Sequence, residues 1–276
     1  MQRLRLRYAK RGRLRFSSHR DFQRAFERAL RRAGVPMAYS AGFSPHPKIS
    51  YAGAAPTGTA SEAEYLEIAV VERCDPGWLH QALDASLPPG LDVLEVVEAV
   101  VPGLADRLQA SRWRVALPGL GTDVLGSAVD AFLAAESVQV ERVTKKGRRA
   151  VEPRAAVIRM AADHPGNDGD PPGEADPCAI LDLVVRHVTP AVRPDDVLAG
   201  LRRVADLAPP VPPGVTRLAQ GPLDEGTGTV TDPLAADRAA IEAVQEQQPG
   251  NGRGGAAPGP VESPSAPQRG AGTAGA

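Results

Sequence analysis

The first residues of the chain alternate between apolar and basic side chains. Leu4, Leu6 and Tyr8 occupy every second position, which is the pattern of a β-strand with one buried face. The basic side chains between them are Arg3, Arg5 and Arg7. After a turn-like break the alternation resumes at residues 13–16, as a continuation of one bulged strand or as the second arm of a hairpin.

A helical period follows this strand. Ser18 is predicted to cap the helix, with Asp21 three residues later in the capping-box position. The apolar residues recur at i, i+3 and i+4 spacing, and they are Phe22, Ala25, Phe26, Ala29, Leu30 and Ala33. Gly34 and Pro36 end the pattern. It therefore predicts an amphipathic helix whose remaining surface carries arginines.

The elements that follow complete a βαββαβ unit. Short extended pieces are predicted at 37–40 and 48–52, a strand at 62–71, a helix at 76–86 and a strand at 91–101. This order is that of the split βαβ, or ferredoxin-like, arrangement.

A similar order recurs in the second half of the chain. Its predicted elements are strands at 113–117, 138–143, 155–161, 180–188 and 215–219, and helices at 123–136 and 194–208. Residues 145–149 are predicted to be the tip of a hairpin. The sequence thus predicts an α+β fold with two tandem ferredoxin-like (split βαβ) domains, followed by a disordered C-terminal tail.

The predicted boundaries divide the chain into three parts. Residues 1–105 form a basic ferredoxin-like domain, and residues 112–220 form a second one with an acidic loop insertion near 163–177. Residues 221–276 are rich in Pro, Gly and Ala and carry few large apolar side chains. We expect this last part to be a disordered tail that is dispensable for stability, with at most a weak isolated helix at 232–247.

Composition excludes several classes of protein. Cys74 and Cys178 are the only cysteines, so neither a disulfide scaffold nor a Cys-rich metal site is expected in this chain. No apolar run is long enough to span a bilayer, and the N-terminus lacks the apolar core of a signal peptide. We therefore predict no membrane partner and a cytoplasmic location.

Charge is concentrated in the first fifth of the chain. Up to Tyr51 there are thirteen Lys or Arg and only two acidic residues, which leaves +11 on a chain whose formal net charge is −1. Such a segment is typical of a surface that meets a polyanion or an acidic partner. The residues expected to bind RNA are Arg3, Arg5, Arg7, Arg13, Arg15, Arg20, Arg24, Tyr39, Phe43 and Lys48.

The arginine row of the first strand has two interpretations. It lies on the open face of the sheet, where a nucleic-acid backbone could cross it, or it is neutralised by Glu62 and Glu64 on a neighbouring strand. The segment Tyr39–Lys48 also has two interpretations. Its Pro-stiffened loop displays Tyr39 and Phe43 to unpaired bases, or Phe43 fills the core.

Two histidines suggest an enzymatic alternative. His19 stands beside Ser18 at a helix N-terminus, where free amides favour a bound phosphate, and His46 lies in the Pro-flanked loop. Two imidazoles that exchange a proton can cleave RNA without a metal. The structural alternative is that His19 bonds within its own helical turn and that His46 is only a loop residue.

Four segments carry a family resemblance: residues 5–21, 28–36, 38–50 and 58–66. In them the chain resembles the radical-SAM-linked protein family, an uncharacterised family found beside, or fused to, a radical S-adenosylmethionine protein. The resemblance implies a radical SAM partner. S-adenosylmethionine and an iron–sulfur cluster would then belong to that partner, because a radical SAM core needs three clustered cysteines.

The leading hypothesis is an accessory protein, not an enzyme on its own, that binds tRNA or rRNA and works with a radical SAM partner. One alternative is a metal-independent ribonuclease or RNA-modifying enzyme that uses His19 and His46. Another is a protein–protein scaffold whose basic patch meets an acidic surface.

Overall fold

The computed structural model describes residues 1–144, 147–164 and 177–247. Within these ranges the chain is a mixed α+β protein, as the sequence predicts. The strands are β1 (Gln2–Lys10), β2 (Ile49–Ala52), β3 (Ala60–Val70), β4 (Leu91–Glu98), β5 (Ala110–Pro118), β6 (Val140–Thr144), β7 (Gly147–Val151), β8 (Val157–Asp163), β9 (Cys178–Arg186), β10 (Gly214–Gly221), β11 (Leu223–Asp224) and β12 (Thr229–Val230). The helices are α1 (His19–Arg32), α2 (Pro76–Asp84), α3 (Leu104–Arg107), α4 (Thr122–Ala134), α5 (Pro153–Ala156), α6 (Pro194–Ala205) and α7 (Ala235–Glu246), and a 3-10 helix (Gly12–Phe16) precedes α1.

Eight strands form one continuous sheet. Along the sheet the order is β4-β1-β3-β10-β5-β9-β8, and β2 pairs with the part of β3 that β10 leaves uncovered. All neighbours are antiparallel except β3 and β10. Strands β6 and β7 form a separate hairpin. The sheet therefore spans both halves of the chain without a break.

Helix α1 forms because its cap and its apolar face are both local features of the sequence. Ser18 Oγ accepts a hydrogen bond from the backbone N–H of Asp21 at 3.2 Å, which confirms the predicted cap. Phe22 and Phe26 are buried against Leu4 and the rest of the apolar face of β1. The apolar rows of β1 and α1 together make the core of the first half.

A second core lies between the other half of the sheet and helices α4 and α6. Phe132 of α4 and Leu201 of α6 have no exposed surface, and they pack with Val115 of β5 and Leu183 of β9. Each half of the chain thus has a core of its own.

The two halves meet at the pairing of β3 with β10. Ala60 lies opposite Thr216, and Ser61 lies opposite Arg217. The Arg217 guanidinium is buried, donates to Ser61 Oγ at 3.2 Å and forms an ion pair with buried Glu64. Because a buried charge is tolerated only when it is paired, these contacts fix one half to the other.

The prediction of a disordered tail from residue 221 is wrong for residues 221–247. Gly221 ends β10, and the chain then forms the β11–β12 hairpin and helix α7. Helix α7 has few apolar side chains, as the sequence indicates, but Asp237 in its first turn is fully buried and bonded to distant residues. Residues 248–276, also assigned to the tail, lie outside the described residues, as does most of the acidic insertion near 163–177.

Candidate functional site

The arginine row of β1 is not an open surface. Arg5 is 3% exposed. Its Nε donates to Glu67 at 3.0 Å, and its Nη1 donates to Asp237 at 2.6 Å and to the Val101 carbonyl at 2.7 Å. The prediction that Arg5 contacts RNA is therefore wrong, because α7 and the segment after β4 cover this face of the sheet.

The other two arginines of the row also have partners within the protein. Arg3, with 60% of its side chain exposed, pairs with Glu67 at 3.2 Å, and Arg7 donates to the Glu62 carbonyl at 2.9 Å. The carboxylates expected to neutralise the row, Glu62 and Glu64, pair instead with Arg11 and with Arg217 respectively. The charge of the row is thus largely neutralised. The carboxylates that do this are Glu67 and Asp237 of the last helix, in place of the expected Glu62 and Glu64.

A different set of cations remains available. We define the α1 basic surface as Arg13, Arg20, Arg24, Arg28 and Arg31. All five are exposed, and within the described residues none has a hydrogen bond or an ion pair from its side chain. The four on α1 are spaced four, four and three residues apart, so they line one face of the helix. Lys48, before β2, is likewise exposed and unpaired among the described residues.

Arg15 and Ser18 occupy more enclosed positions beside this surface. The Arg15 guanidinium lies 4.8 Å from the centre of the exposed Phe16 ring. Ser18 Oγ donates to the Asp21 carboxylate at 2.7 Å. That hydrogen bond, aided by Arg24, holds the pKa of Asp21 below its usual value. The predicted anion site at Ser18 and His19 therefore already faces a carboxylate of the chain itself.

The loop between Tyr39 and Pro47 is closed and displays its aromatic side chains. Tyr39 bridges to Pro47, and the Ser40 N–H donates to the His46 carbonyl at 2.9 Å. At the tip, Gly42 has a φ of 121°, a conformation that favours glycine. Phe43 is fully exposed and Tyr39 is 51% exposed, so the alternative in which Phe43 fills the core is wrong.

His19 is exposed and lies on the face of the sheet that α1 covers. Its ring meets the Tyr51 ring edge to face at a centroid distance of 5.0 Å. Its Nε2 lies 3.1 Å from the Gln23 side chain, one turn further along α1. Tyr51 is opposite Leu66 in the sheet, and Leu66 is part of the core beneath α1.

His46 lies by a groove on the other face. Its Nδ1 is 2.9 Å from Ser40 Oγ, and the groove is also lined by Arg3, Ser50 and Glu67. Ser50 and Glu67 are cross-strand partners, and Ser50 directly precedes Tyr51 in β2. Because successive side chains of a strand alternate between the two faces, this pair points to the opposite side of the sheet from Tyr51. No contact among the described residues joins the two histidines, and the arrangement does not form the pair that the ribonuclease alternative requires.

A cavity of about 390 Å³, which we call the junction cavity, lies where the two halves meet, and no pattern in the sequence indicates it. Its polar lining comes from four separate segments and consists of Ser111, His187, Arg193, Arg217 and Gln220. Ser111 Oγ lies 2.8 Å from His187 Nε2, and His187 Nδ1 lies 2.6 Å from the Leu108 carbonyl oxygen. His187 stands in no sequence motif, so only the register of β5, β9 and β10 brings these groups together.

The described residues contain no group of three or more His, Cys, Asp or Glu side chains arranged to hold a metal ion. They also contain no helix with both the length and the apolar character needed to cross a membrane.

Comparison with known proteins identifies a family for this chain. No curated protein is significantly similar to the chain. A family model described as "Uncharacterized protein conserved in bacteria" (DUF2344) matches residues 3–194, which is well over half of the sequence. The matched region runs from β1 to the start of α6 and so includes α1, the loop at 39–47 and most of the lining of the junction cavity. The chain therefore belongs to the DUF2344 family of uncharacterized bacterial proteins.

Proposed function

We propose that this protein binds RNA through the α1 basic surface and the loop at 39–47, and that it presents the RNA to a radical SAM partner. The observation that carries the RNA half is the row of unpaired, exposed arginines on α1. Charges that the protein leaves without partners are free to neutralise phosphates, whereas those of β1 are already satisfied.

The neighbouring loop adds a second kind of contact. It leads into β2, and the Tyr51 ring of β2 meets the His19 ring at the start of α1, so a single strand connects the loop to the beginning of that helix. The exposed rings of Tyr39 and Phe43 suit stacking with unpaired bases. Cations beside stacking rings favour single-stranded RNA or a loop of tRNA or rRNA over a regular duplex.

We also propose that the two halves are tandem ferredoxin-like domains fused edge to edge. In the first half the sheet order is β4-β1-β3-β2, and in the second half it is β10-β5-β9-β8. Numbered within each half, and leaving out the separate β6–β7 hairpin, the two orders are the same, with α1 and α2, or α4 and α6, as the connecting helices. The equal order and the equal placement of the helices support a repeated unit.

The partner half of the proposal rests on the family resemblance. A radical SAM core holds its cluster with three cysteines, and this chain has only Cys74 and Cys178. Any S-adenosylmethionine and iron–sulfur cluster would belong to the second protein. Affinity purification of the tagged protein from its own cells, followed by mass spectrometry, tests this half. If no radical SAM protein is enriched over an untagged control, the partner assignment fails.

The RNA half is tested by anisotropy with a fluorescent single-stranded oligonucleotide over a range of salt concentrations. We expect affinity to fall steeply with salt, and the triple variant Arg20→Gln, Arg24→Gln and Arg28→Gln to reduce the log–log slope by about 2. The matched control replaces three exposed arginines of the second half, Arg114, Arg202 and Arg203, by Gln. Salt-independent binding, or equal losses in both triple variants, would refute the assignment.

A further inference from the structure

The junction cavity combines apolar walls with a restricted set of polar groups. Trp113, Val185 and Val192 contribute apolar surface, and the cavity volume of about 390 Å³ is in the range of pockets for small ligands. It opens on the face of the sheet that carries α6, between the loop after β2 and the segment that leads into that helix. It is therefore separate from the α1 basic surface.

Geometry determines which groups donate and which accept the hydrogen bonds among Ser111, His187 and Leu108 in the junction cavity. The Leu108 carbonyl can only accept, so His187 Nδ1 carries the proton that it donates across 2.6 Å. Partial burial, together with the charge of nearby Arg217, lowers the pKa of His187 despite the opposing hydrogen bond to Leu108, and this shift favours the neutral ring. His187 Nε2 then accepts from the Ser111 hydroxyl at 2.8 Å. The remaining lone pairs of Ser111 Oγ are left to accept from a bound molecule.

The charge of the lining is entirely of one sign. None of its described residues is acidic, and it includes the guanidinium groups of Arg193 and Arg217. Arg217 is committed to the protein, because it donates to the Gly53 carbonyl at 2.7 Å and to Gln220 Oε1 at 2.9 Å and pairs with Glu64. Arg193, at the mouth, is exposed, and within the described residues its side chain has no hydrogen bond or ion pair.

We propose that the junction cavity binds a small organic anion, with its acidic group on Arg193, its apolar body against Trp113 and a hydrogen-bond donor directed at Ser111 Oγ. A free guanidinium above an apolar pocket selects for a ligand that has both a charge and a non-polar body. The ordered Ser111–His187–Leu108 chain holds the acceptor in place before the ligand arrives. This site does not depend on RNA binding and would exist without it.

The test uses two dyes that share one ring system. Anilinonaphthalene sulfonate carries an acidic group, an apolar body and an N–H donor, and N-phenylnaphthylamine lacks only the acidic group. We expect the folded full-length protein to bind the sulfonate at least tenfold more tightly than the neutral dye. Arg193→Gln should remove that preference, since a hydrogen bond to a charged group is worth about tenfold or more.

Two further variants separate the cavity from other dye sites. Arg203→Gln makes the same charge change at an exposed position in the last turn of α6, and it should leave the affinity for the sulfonate unchanged. Ala54→Phe, at an exposed position of the rim, should block both dyes by filling the opening. Circular dichroism establishes that each variant is folded. Equal binding of the two dyes to the native protein, or equal losses in Arg193→Gln and Arg203→Gln, overturns the proposal.

Discussion

Arg5 of the first strand and Asp237 of the last helix form an ion pair of 2.6 Å, with side chains that are 3% and 0% exposed. The same carboxylate accepts from Arg107 at 2.8 Å, and its other oxygen accepts from the backbone N–H groups of Val100 and Val101 at 3.0 and 2.9 Å. Both oxygens of the Asp237 carboxylate therefore accept hydrogen bonds from donors within the protein. The contact joins the two ends of the described chain on one face of the sheet.

Asp237→Ala is expected to destabilise the protein by about 3 kcal/mol, because it leaves Glu67 as the only carboxylate paired with the buried guanidinium of Arg5 among the described residues. Glu242→Ala, an exposed position of the same helix, changes the charge equally and should cost less than about 0.5 kcal/mol. Urea unfolding of both variants measures the difference. Similar free energies of unfolding for the two would mean that α7 contributes little to stability.

Stability should fall in acid in a way that depends on Asp237. Burial alone would raise its pKa, but the hydrogen bonds from Val101, Arg107 and Arg5 outweigh it and hold the pKa of Asp237 below its usual value. A carboxyl group with a depressed pKa stabilises the fold above its unfolded pKa of about 3.9, and this contribution is lost as the pH falls through the folded value.

Asp237→Asn removes that titration. The variant should be less stable than the native protein at pH 7, and its deficit should shrink as the pH is lowered from about 5 to about 2. Urea midpoints measured across this range provide the check. Parallel curves for the two proteins would show that the folded and unfolded states bind a proton at Asp237 equally well.

Phe43→Ala should weaken the binding of single-stranded RNA without changing its salt dependence. Stacking of one base on an aromatic ring contributes about 1–3 kcal/mol, which corresponds to roughly fivefold to a hundredfold in affinity. No counterion is released by stacking, so the slope of log affinity against log salt should be unaltered. Val244→Ala, an exposed apolar position on α7, serves as the control and should change neither quantity. A reduced slope for Phe43→Ala would mean that the loop acts through charge.

Gly53→Ala should disturb the seam between the halves. Gly53 has a φ of +57°, and an added Cβ would clash with Gln220 Oε1, the atom that accepts from Arg217. Gly12 has a similar φ of +53° with nothing within 4 Å of an added Cβ, so Gly12→Ala carries the backbone strain alone. We expect Gly53→Ala to cost about 1–3 kcal/mol more than Gly12→Ala in chemical denaturation. Equal costs would show that Gln220 is free to move.

The elements that depend on local signals could be predicted from the sequence. The Ser18 cap, the apolar face of α1 and the alternation of β1 are each set by residues within a few positions of one another, and the structure confirms them. The sequence allows a weak helix at 232–247, where α7 lies, but the docking of this helix against the sheet could not be predicted in this way. Its attachment depends on Asp237, whose partners Arg5 and Arg107 are more than a hundred positions away, and on Arg238, which pairs with Glu95 of β4. Sparse apolar positions therefore gave the wrong answer for a segment held by charge.

The candidate sites show the same limit. The helical period places the arginines of α1 on its surface, but the sequence leaves open whether Phe43 is exposed or fills the core, and which basic residues stay free depends on the partners that each strand finds. Ser111 and His187 are 76 positions apart and meet only through the sheet register. A single sequence contains no signal for such a meeting.

The parallel pairing of β3 with β10 has a consequence for how the protein is made. The backbone of residues 60 and 61 pairs with residues 216 and 217, which are synthesised much later. Arg5 likewise forms its ion pair with Asp237 only after the last helix has been made. A growing chain would hold a nearly finished first half with an unpaired strand edge and an unmatched buried cation until residues 216–237 have been synthesised. The ribosome must therefore release the last helix before the first strand reaches its final surroundings.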